Sequence, residues 1–404
     1  MPKHDRVIIA GGGPVGSTAA WLLTLQGIPV TVLEAEEGVQ LDYRASTFHP
    51  PTLDLFEESG ITGALVDHGL KCPVWQFRDR QRGRIAEFDL SVLANDTKYP
   101  YRLQCEQFKL VDWLYKKLGA ADSAEILFRH RITGMRQSDD DVTVICDGPD
   151  GPVEIEGDWL IAADGGRSVV RKSLGIGFDG HTHPEHFIVA GTEYDFRAHL
   201  PDICSVNYTA DPEEWFLLLE IPDMWRVVMP VDTSVQAEDA VTDTYLQKAL
   251  QNIAPRDGDY PILVRAIYRV SARIAAEYRG GRAFLAGDAA HINNPLGGMG
   301  LNGGLQDALN LTERLAKVWH GEADETVLDG YETQRRPEAI DAINAITERN
   351  KKLMEERDPE IRQRNLDEMR AIAADPDRAY QFMLNSAMIT SLRRSGMLPE
   401  VHRG

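Results

Sequence analysis

The segment Val7-Ile8-Ile9-Ala10-Gly11-Gly12-Gly13-Pro14-Val15-Gly16 constrains the fold more than any other stretch of this 404-residue chain. A short apolar run of this kind suits a strand buried on both faces of a parallel sheet. It leads directly into G-x-G-x-x-G; Pro14 stands where a helix can begin, and Ser17 to Leu25 supplies good helix formers. Gly27-Ile28-Pro29 stops that helix, and Val30-Thr31-Val32-Leu33 reads as the next strand. Together they make a βαβ unit. Gly11, Gly13 and Gly16, with Val15 between them, permit a tight turn and let backbone N–H groups approach a pyrophosphate at the positive end of the helix. Glu34 stands 18 residues after Gly16, at the tip of the second strand, where a carboxylate can accept hydrogen bonds from ribose hydroxyls. The unit points to a bound dinucleotide and leaves FAD and NAD(H) equally open.

Charge narrows the partners. With 43 Lys and Arg against 63 Asp and Glu, the formal net charge is −20, which repels phosphate backbones and anionic lipid heads. Nucleic acid and membrane are therefore not expected. Arg78, Arg80, Arg82 and Arg84 alternate within one short stretch and read as a solvated strand or loop edge. Cys72, Cys105, Cys146 and Cys204 stand singly, a pattern that suits neither a disulfide framework nor a zinc site, and no metal is expected. The absence of a long apolar span and of a leader before the first strand gives the expectation of a cytoplasmic protein, monomeric or homodimeric.

Further along, a helix is expected to close near Leu53, Phe56 and Gly60, and another runs from Gln107 to Leu118 with Leu110, Val111, Leu114 and Leu118 on one face. Trp159 to Ala163 is again a buried-strand run. Between about 180 and 275 the pattern changes to strands over 187–196, 203–209, 215–221, 225–231 and 262–270, with one helix over 241–253. A mostly antiparallel sheet inserted into a nucleotide-binding domain fits this better than more βαβ units. Ala283 to Ala286 then leads into a glycine-rich loop and a helix from Asn302 to about His320; from Tyr331 the chain is helical and charged, and the run Glu348 to Arg370, dense in both signs, reads as surface helices. The expected fold class is α/β plus α+β. A Rossmann-like domain is assembled from 1–70, 100–175 and 276–340, a sheet domain for substrate from 71–99 and 176–275, and C-terminal helices over 341–404.

Two more motifs carry chemistry. Ala163-Asp164-Gly165-Gly166-Arg167-Ser168 follows a strand and precedes a helix that Ser168 can cap. Gly287-Asp288-Ala289-Ala290-His291 continues to Pro295-Leu296-Gly297-Gly298-Met299-Gly300-Leu301-Asn302. Asp288, at a strand end, can accept hydrogen bonds from ribityl hydroxyls. The glycines bring backbone N–H groups against a planar ring, with a helix start aimed at it.

These three motifs resemble those of the class A flavoprotein monooxygenases with the para-hydroxybenzoate hydroxylase fold, the hydroxyphenylpropionate and phenol hydroxylases in particular, over about residues 5 to 340. The resemblance implies FAD held by Gly11, Gly13, Val15, Gly16, Glu34, Asp164, Asp288, Pro295, Gly298, Gly300, Leu301 and Asn302. It adds Arg44 and Gln107 as flavin-contacting residues. It further implies NADH or NADPH as co-substrate, O2, and hydroxylation of a small phenolic or heteroaromatic, acidic substrate through a flavin C4a-hydroperoxide. His49 and Tyr208 are the favoured acid–base residues; Tyr194, His186 and His291 are weaker candidates. Trp215, Phe216 and Trp225 could line a pocket, and Arg269 and Arg273 could bind a carboxylate. The phenol-hydroxylase branch carries a thioredoxin-like C-terminal domain for which this chain has no room, and the halogenase motif W-x-W-x-I-P is missing. A reductase or dehydrogenase of the same fold, and a non-catalytic nucleotide sensor, remain the competing readings.

Overall fold

A computed structural model describes residues 4–43 and 45–400. Its first layer is a six-stranded sheet. Ala124–Leu127, Val30–Leu33, Val7–Ala10, Trp159–Ala162 and Ala283–Leu285 lie side by side and parallel, with the short antiparallel Arg279–Gly280 at one edge. All four residues of Val7–Ala10 and of Trp159–Ala162 are buried, as expected for strands covered on both faces. Helices Pro14–Leu25 and Met299–Trp319 pack together on this sheet, and Gln107–Gly119 packs beside the first of them. The expected stripe of Leu110, Val111, Leu114 and Leu118 is the buried face of that third helix.

Between 131 and 157 the chain forms an antiparallel meander, Arg131–Gln137, Val142–Gly148 and Gly151–Gly157, that was not anticipated. Its exposed strand residues are mostly charged, so the apolar period there is thin. Ile132, Val142, Val144 and Cys146 nevertheless join the first core.

The second large sheet has eight strands, in the order His291–Ile292, Ile262–Ala275, Phe178–Thr192, Met224–Val231, Phe216–Ile221, Val206–Ala210, Val74–Asp79 and Gly83–Asp89. Neighbours run antiparallel except for Val206–Ala210 and Val74–Asp79, which are parallel. Alternation sorts its faces. Tyr208, Leu217, Leu219 and Val228 point one way, while Phe216, Leu218 and Val227 point the other, towards the helix Asp243–Ile253.

Two expectations change here. The arginine run is not a solvated edge throughout: Arg78 and Asp79 are buried within Val74–Asp79, which pairs on both sides. Arg78 Nη2 meets Asp202 Oδ1 at 2.7 Å, and Asp79 pairs with Arg362. A buried guanidinium is tolerable only with such acceptors. The C-terminal helices are not merely surface helices. Ala345–Glu355, Pro359–Ala374 and Pro376–Ser386 bury Met354, Leu366, Met369, Met383 and Leu384 against the Trp75 and Phe88 side of the second sheet. They connect to Asp329–Glu338 through a stretch of π-helix, Ala339–Asn344, directly after Pro337. That proline removes one backbone donor from the helix interior and crowds the turn before it. No helix among the described residues is long and apolar enough to cross a membrane.

Candidate functional site

The three sequence motifs meet because the strands that precede them are neighbours. Ala10, Ala162 and Leu285 end adjacent parallel strands, and each chain then turns out of the same sheet edge. Such an edge is where open α/β sheets place their ligands. The Ala163 N–H donates to Ala10 O at 2.8 Å and the Ala286 N–H to Ala162 O at 2.9 Å, so the loops leave in register. Arg171 ties the second loop to the third, donating to Gly166 O at 2.9 Å and Ala289 O at 2.8 Å. A cleft of about 450 Å³ opens between these loops and the second sheet.

Gly11 has φ +92°, and a Cβ there would lie 2.5 Å from Ala163 O, so the first two loops touch through backbone alone. Gly13, Pro14 and Val15 line the cleft, whereas Gly11 and Gly16 lie behind its wall. Glu34 also lines it, accepting from the Gly12 N–H at 2.8 Å and the Glu36 N–H at 2.9 Å. Tyr115 donates to Gly12 O at 2.8 Å. Burial, with the Glu34 charge adding, pushes its phenol well above the usual range, so it stays a donor. Gln107, Val111 and Tyr115 share this wall, one helical turn apart. That i, i+4, i+8 spacing was readable, yet only Gln107 was singled out. Arg44 lies outside the described residues.

In the third loop Gly287–Ala289 forms one tight turn that leaves Asp288 exposed at the cleft wall. Pro295, Gly298, Gly300 and Leu301 continue the wall. Gly298, at φ +68°, is the N-cap residue of helix Met299–Trp319 and turns the chain into it. Asn302 is buried behind this turn. Its amide donates to Thr47 O at 2.9 Å and Gly298 O at 2.6 Å, and its carbonyl accepts from the His49 N–H at 2.8 Å. Asp164 also lies off the wall. One of its oxygens caps Val169–Ser173, at 2.7 Å from the Val169 nitrogen; the other is buried with no hydrogen-bond partner among the described residues.

His49 is fully buried and absent from the cleft wall, and its Nε2 sits 2.8 Å from Gly297 O. It holds the 47–49 segment to the glycine turn. Burial, with the nearby Arg102 charge adding, pulls its imidazole down to about 3, against the opposing bond to Gly297. The expectation of an acid–base His49 thus meets a neutral, enclosed ring. A consequence is measurable. An unfolded histidine takes up its proton near about 6.5. Below that pH the unfolded state binds a proton that the folded state refuses, and stability falls by about 1.4 kcal/mol per pH unit until the folded value is reached. His49→Gln should flatten the decline in urea stability between neutral pH and about pH 4. Equal pH dependence in the two proteins would refute this.

Behind the third loop, Asp307 accepts from the Gly287 N–H at 3.1 Å and sits 2.7 Å from His291 Nε2 and 2.8 Å from Arg335 Nε. Burial alone would raise its carboxyl, but His291 and Arg335 outweigh that and hold it below the usual range. His291 is therefore occupied in bracing the loop.

The opposite wall comes from the second sheet: Tyr208, Leu217, Leu219, Val228 and Tyr268. Arg102 donates to the Tyr208 hydroxyl at 3.3 Å and stacks over Trp75 at 4.9 Å. Arg226 also reaches the cleft, buried, and bonds the Ser46 hydroxyl. Burial draws its pKa below the usual value, yet a guanidinium remains charged at neutral pH. Arg226 was missed, although it alternates in phase with Val228 on a strand whose other face is apolar. Of the remaining candidates, Arg269 lines the cleft, while Arg273 donates to Phe178 O at 3.2 Å. His186 accepts from Arg269 Nε at 3.3 Å; Tyr194 packs on Phe196 and Tyr260. Trp215, Phe216 and Trp225 are core residues.

Three converging strand-end loops, with Glu34 beside the first, Asp288 on the third and a second sheet closing over them, define a dinucleotide-binding protein. Residues 5–345 match the family model described as FAD binding domain, and the chain belongs to that family. It is 35% identical over 400 residues to para-nitrophenol 4-monooxygenase of Pseudomonas sp. (strain WBC-3), covering 97% of this chain and 98% of the relative. It is 31% identical over 380 residues to 6-hydroxy-3-succinoylpyridine 3-monooxygenase of Pseudomonas putida (strain DSM 28022 / S16), covering 94% and 96%. Its structure superposes on that of p-nitrophenol 4-monooxygenase from Pseudomonas putida DLL-E4 with a TM-score of 0.91 at 32% identity, over 98% of this chain and 99% of that one.

The residues present fit FAD: a Cβ on Gly13 would meet no atom of the described residues within 4 Å, leaving backbone open at the cleft, and the Asp288 carboxylate stands exposed on the same wall.

Proposed function

We propose that this chain is an FAD-dependent monooxygenase that hydroxylates an acidic phenolic or heteroaromatic substrate, using NADH or NADPH and O2. The observation that carries the reading is the cleft itself. One wall is built from the three cofactor loops, and the other sets Leu217, Leu219, Val228 and Val270 among Tyr208, Tyr268, Arg226, Arg269 and Ser271, within a chain similar to aromatic monooxygenases along nearly its whole length. In this reading 1–70, 100–175 and 276–340 hold the cofactor, 71–99 and 176–275 hold the substrate, and the helices after 340 cover the substrate side.

Backbone N–H groups of Gly13 and Val15 would receive the pyrophosphate at the start of helix Pro14–Leu25, and Glu34 a ribose. Asp288 would take ribityl hydroxyls, Asp164 would hold the second loop in place behind the wall, and Gln107, Pro295 and Gly298 to Leu301 would border the ring system. Asn302 contributes by fixing the turn. When bound, FAD supplies the oxygen-activating redox chemistry that no side chain can.

The chain's own work is alignment, dryness and charge. Leu217, Leu219 and Val228 exclude water from the reacting space. Tyr208 Oη takes the hydrogen bond of the ring's activating hydroxyl, and the guanidinium of Arg102 beside it favours the anionic, electron-rich form. Arg226 attracts a negatively charged substrate into the cleft. His49 serves as a brace and not as the base.

The test is a screen of nitrophenols, hydroxybenzoates and hydroxypyridine acids for stimulated NAD(P)H oxidation, with products weighed after turnover under isotopically labelled O2. A mass gain of one labelled oxygen is the expected result. Flavin reduction with no oxygen in any product would overturn the reading.

A further inference from the structure

Away from the cleft, strand Phe178–Thr192 loses register with its neighbour Ile262–Ala275. Thr182 pairs with Ser271 and His186 with Arg269, so His183, Pro184 and Glu185 stand opposite Val270 alone. A bulge of this kind re-aims side chains, and this one meets the helix Ala345–Glu355. His183 Nε2 lies 3.0 Å from Glu348 Oε1, and Glu185 pairs with Lys351 at 2.5 Å. His181 is two residues before His183, and the two imidazoles meet edge to face at 4.7 Å between centroids. One donor atom from each of His181, His183 and Glu348 falls within 4.8 Å of the other two.

We propose that His181, His183 and Glu348 form a binding site for a divalent transition-metal ion of the zinc, nickel or copper class. Zinc takes imidazole nitrogen and carboxylate oxygen at about 2.0–2.2 Å, which puts donor atoms of a tetrahedral site about 3.3 Å apart. His183 and Glu348 already stand closer than that, and a rotamer shift of the exposed His181 completes the set. Two imidazoles select against magnesium and calcium, which prefer all-oxygen shells. The cations around the site are engaged elsewhere: Lys351 by Glu185 and Glu355, and Arg273 by Phe178 O and Thr182 Oγ1. Cysteine spacing could not reveal this site, because its ligands are histidines and a glutamate separated by more than 160 residues of chain. A bound ion would tie the second sheet to the first helix after the π-helical stretch, bracing the C-terminal layer.

Isothermal titration of zinc into chelator-treated, FAD-loaded enzyme should give a single site, and zinc in about hundredfold excess over its dissociation constant should raise the melting temperature. Outer partners of metal ligands alone are worth about 10–100-fold in affinity. His181→Ala and His183→Ala should therefore each weaken binding by at least about 10-fold, while His186→Ala leaves it unchanged. Melting in chelator checks that the variants are folded. No zinc binding to the wild-type enzyme, or binding that persists in the His181→Ala/His183→Ala double variant, would overturn the proposal.

Discussion

Asp288→Ala is expected to purify with little or no flavin and to show an FAD dissociation constant raised by about 10- to 150-fold. Hydrogen bonds to charged groups contribute about 1.5–3 kcal/mol, and each 1.4 kcal/mol is tenfold in affinity. The residue suits the test because its side chain is exposed at the cleft wall while its neighbours are not. The loop beneath it is fixed independently, through the Gly287 N–H on Asp307 and the bonds of Asp307 to His291 and Arg335. Removing the Asp288 carboxylate should therefore leave the fold in place. Fluorescence of released FAD measures the loss, and thermal melting of the apoprotein checks that structure is retained. Stoichiometric FAD with an unchanged dissociation constant would contradict the assignment.

Tyr208→Phe should lower kcat by about 100-fold with a small change in KM, since a placed proton-transfer group contributes about 10²–10⁴-fold. The ring would still pack on Trp75 and pair across to Leu217, so only the hydroxyl and its bond to Arg102 are lost. NAD(P)H oxidation is expected to continue with less hydroxylated product per turnover, because substrate still binds but is not held in its electron-rich form. An unchanged kcat and an unchanged product ratio would remove Tyr208 from the chemistry. If the same loss followed only from Arg226 substitution, the substrate's polar contact would move to that residue.

The parts that could be read from sequence were local. A four-residue apolar run, a glycine turn and an acid at the next strand tip lie within 28 consecutive residues, from Val7 to Glu34, and their geometry follows from chain connectivity. The other two motifs have the same character. What could not be read depends on partners distant in the chain. His49 looked like a candidate base beside the flavin, but Gly297 and Asn302 enclose it from some 250 residues away. Arg78 looked solvated because Asp202, which neutralises it, is 124 residues on. The run Glu348 to Arg370, which spans two helices, looked like surface because its charges outnumber its apolar residues. The few apolar positions, such as Met354, Leu366 and Met369, decide its place by facing a sheet whose cover they supply. Tyr115 and Arg226 were within reach, through helical and strand periods respectively.

The parallel pairing of Val74–Asp79 with Val206–Ala210 has a consequence for how this polypeptide acquires its shape. The strands at 74–89 emerge from the ribosome before Trp159–Ala162, the inner strand of the first sheet, exists. They must then wait for about 120 further residues before their partner appears. Non-local pairing of this kind is slow, because loop closure is unfavourable until the contacts that reward it form. The two sheets are therefore interlocked in time as well as in space, and neither half of the chain should fold as an autonomous unit. Substitutions that weaken Phe77 or Thr209 are expected to be felt first as poor yield and aggregation of nascent protein, well before any defect appears in the molecules that do fold.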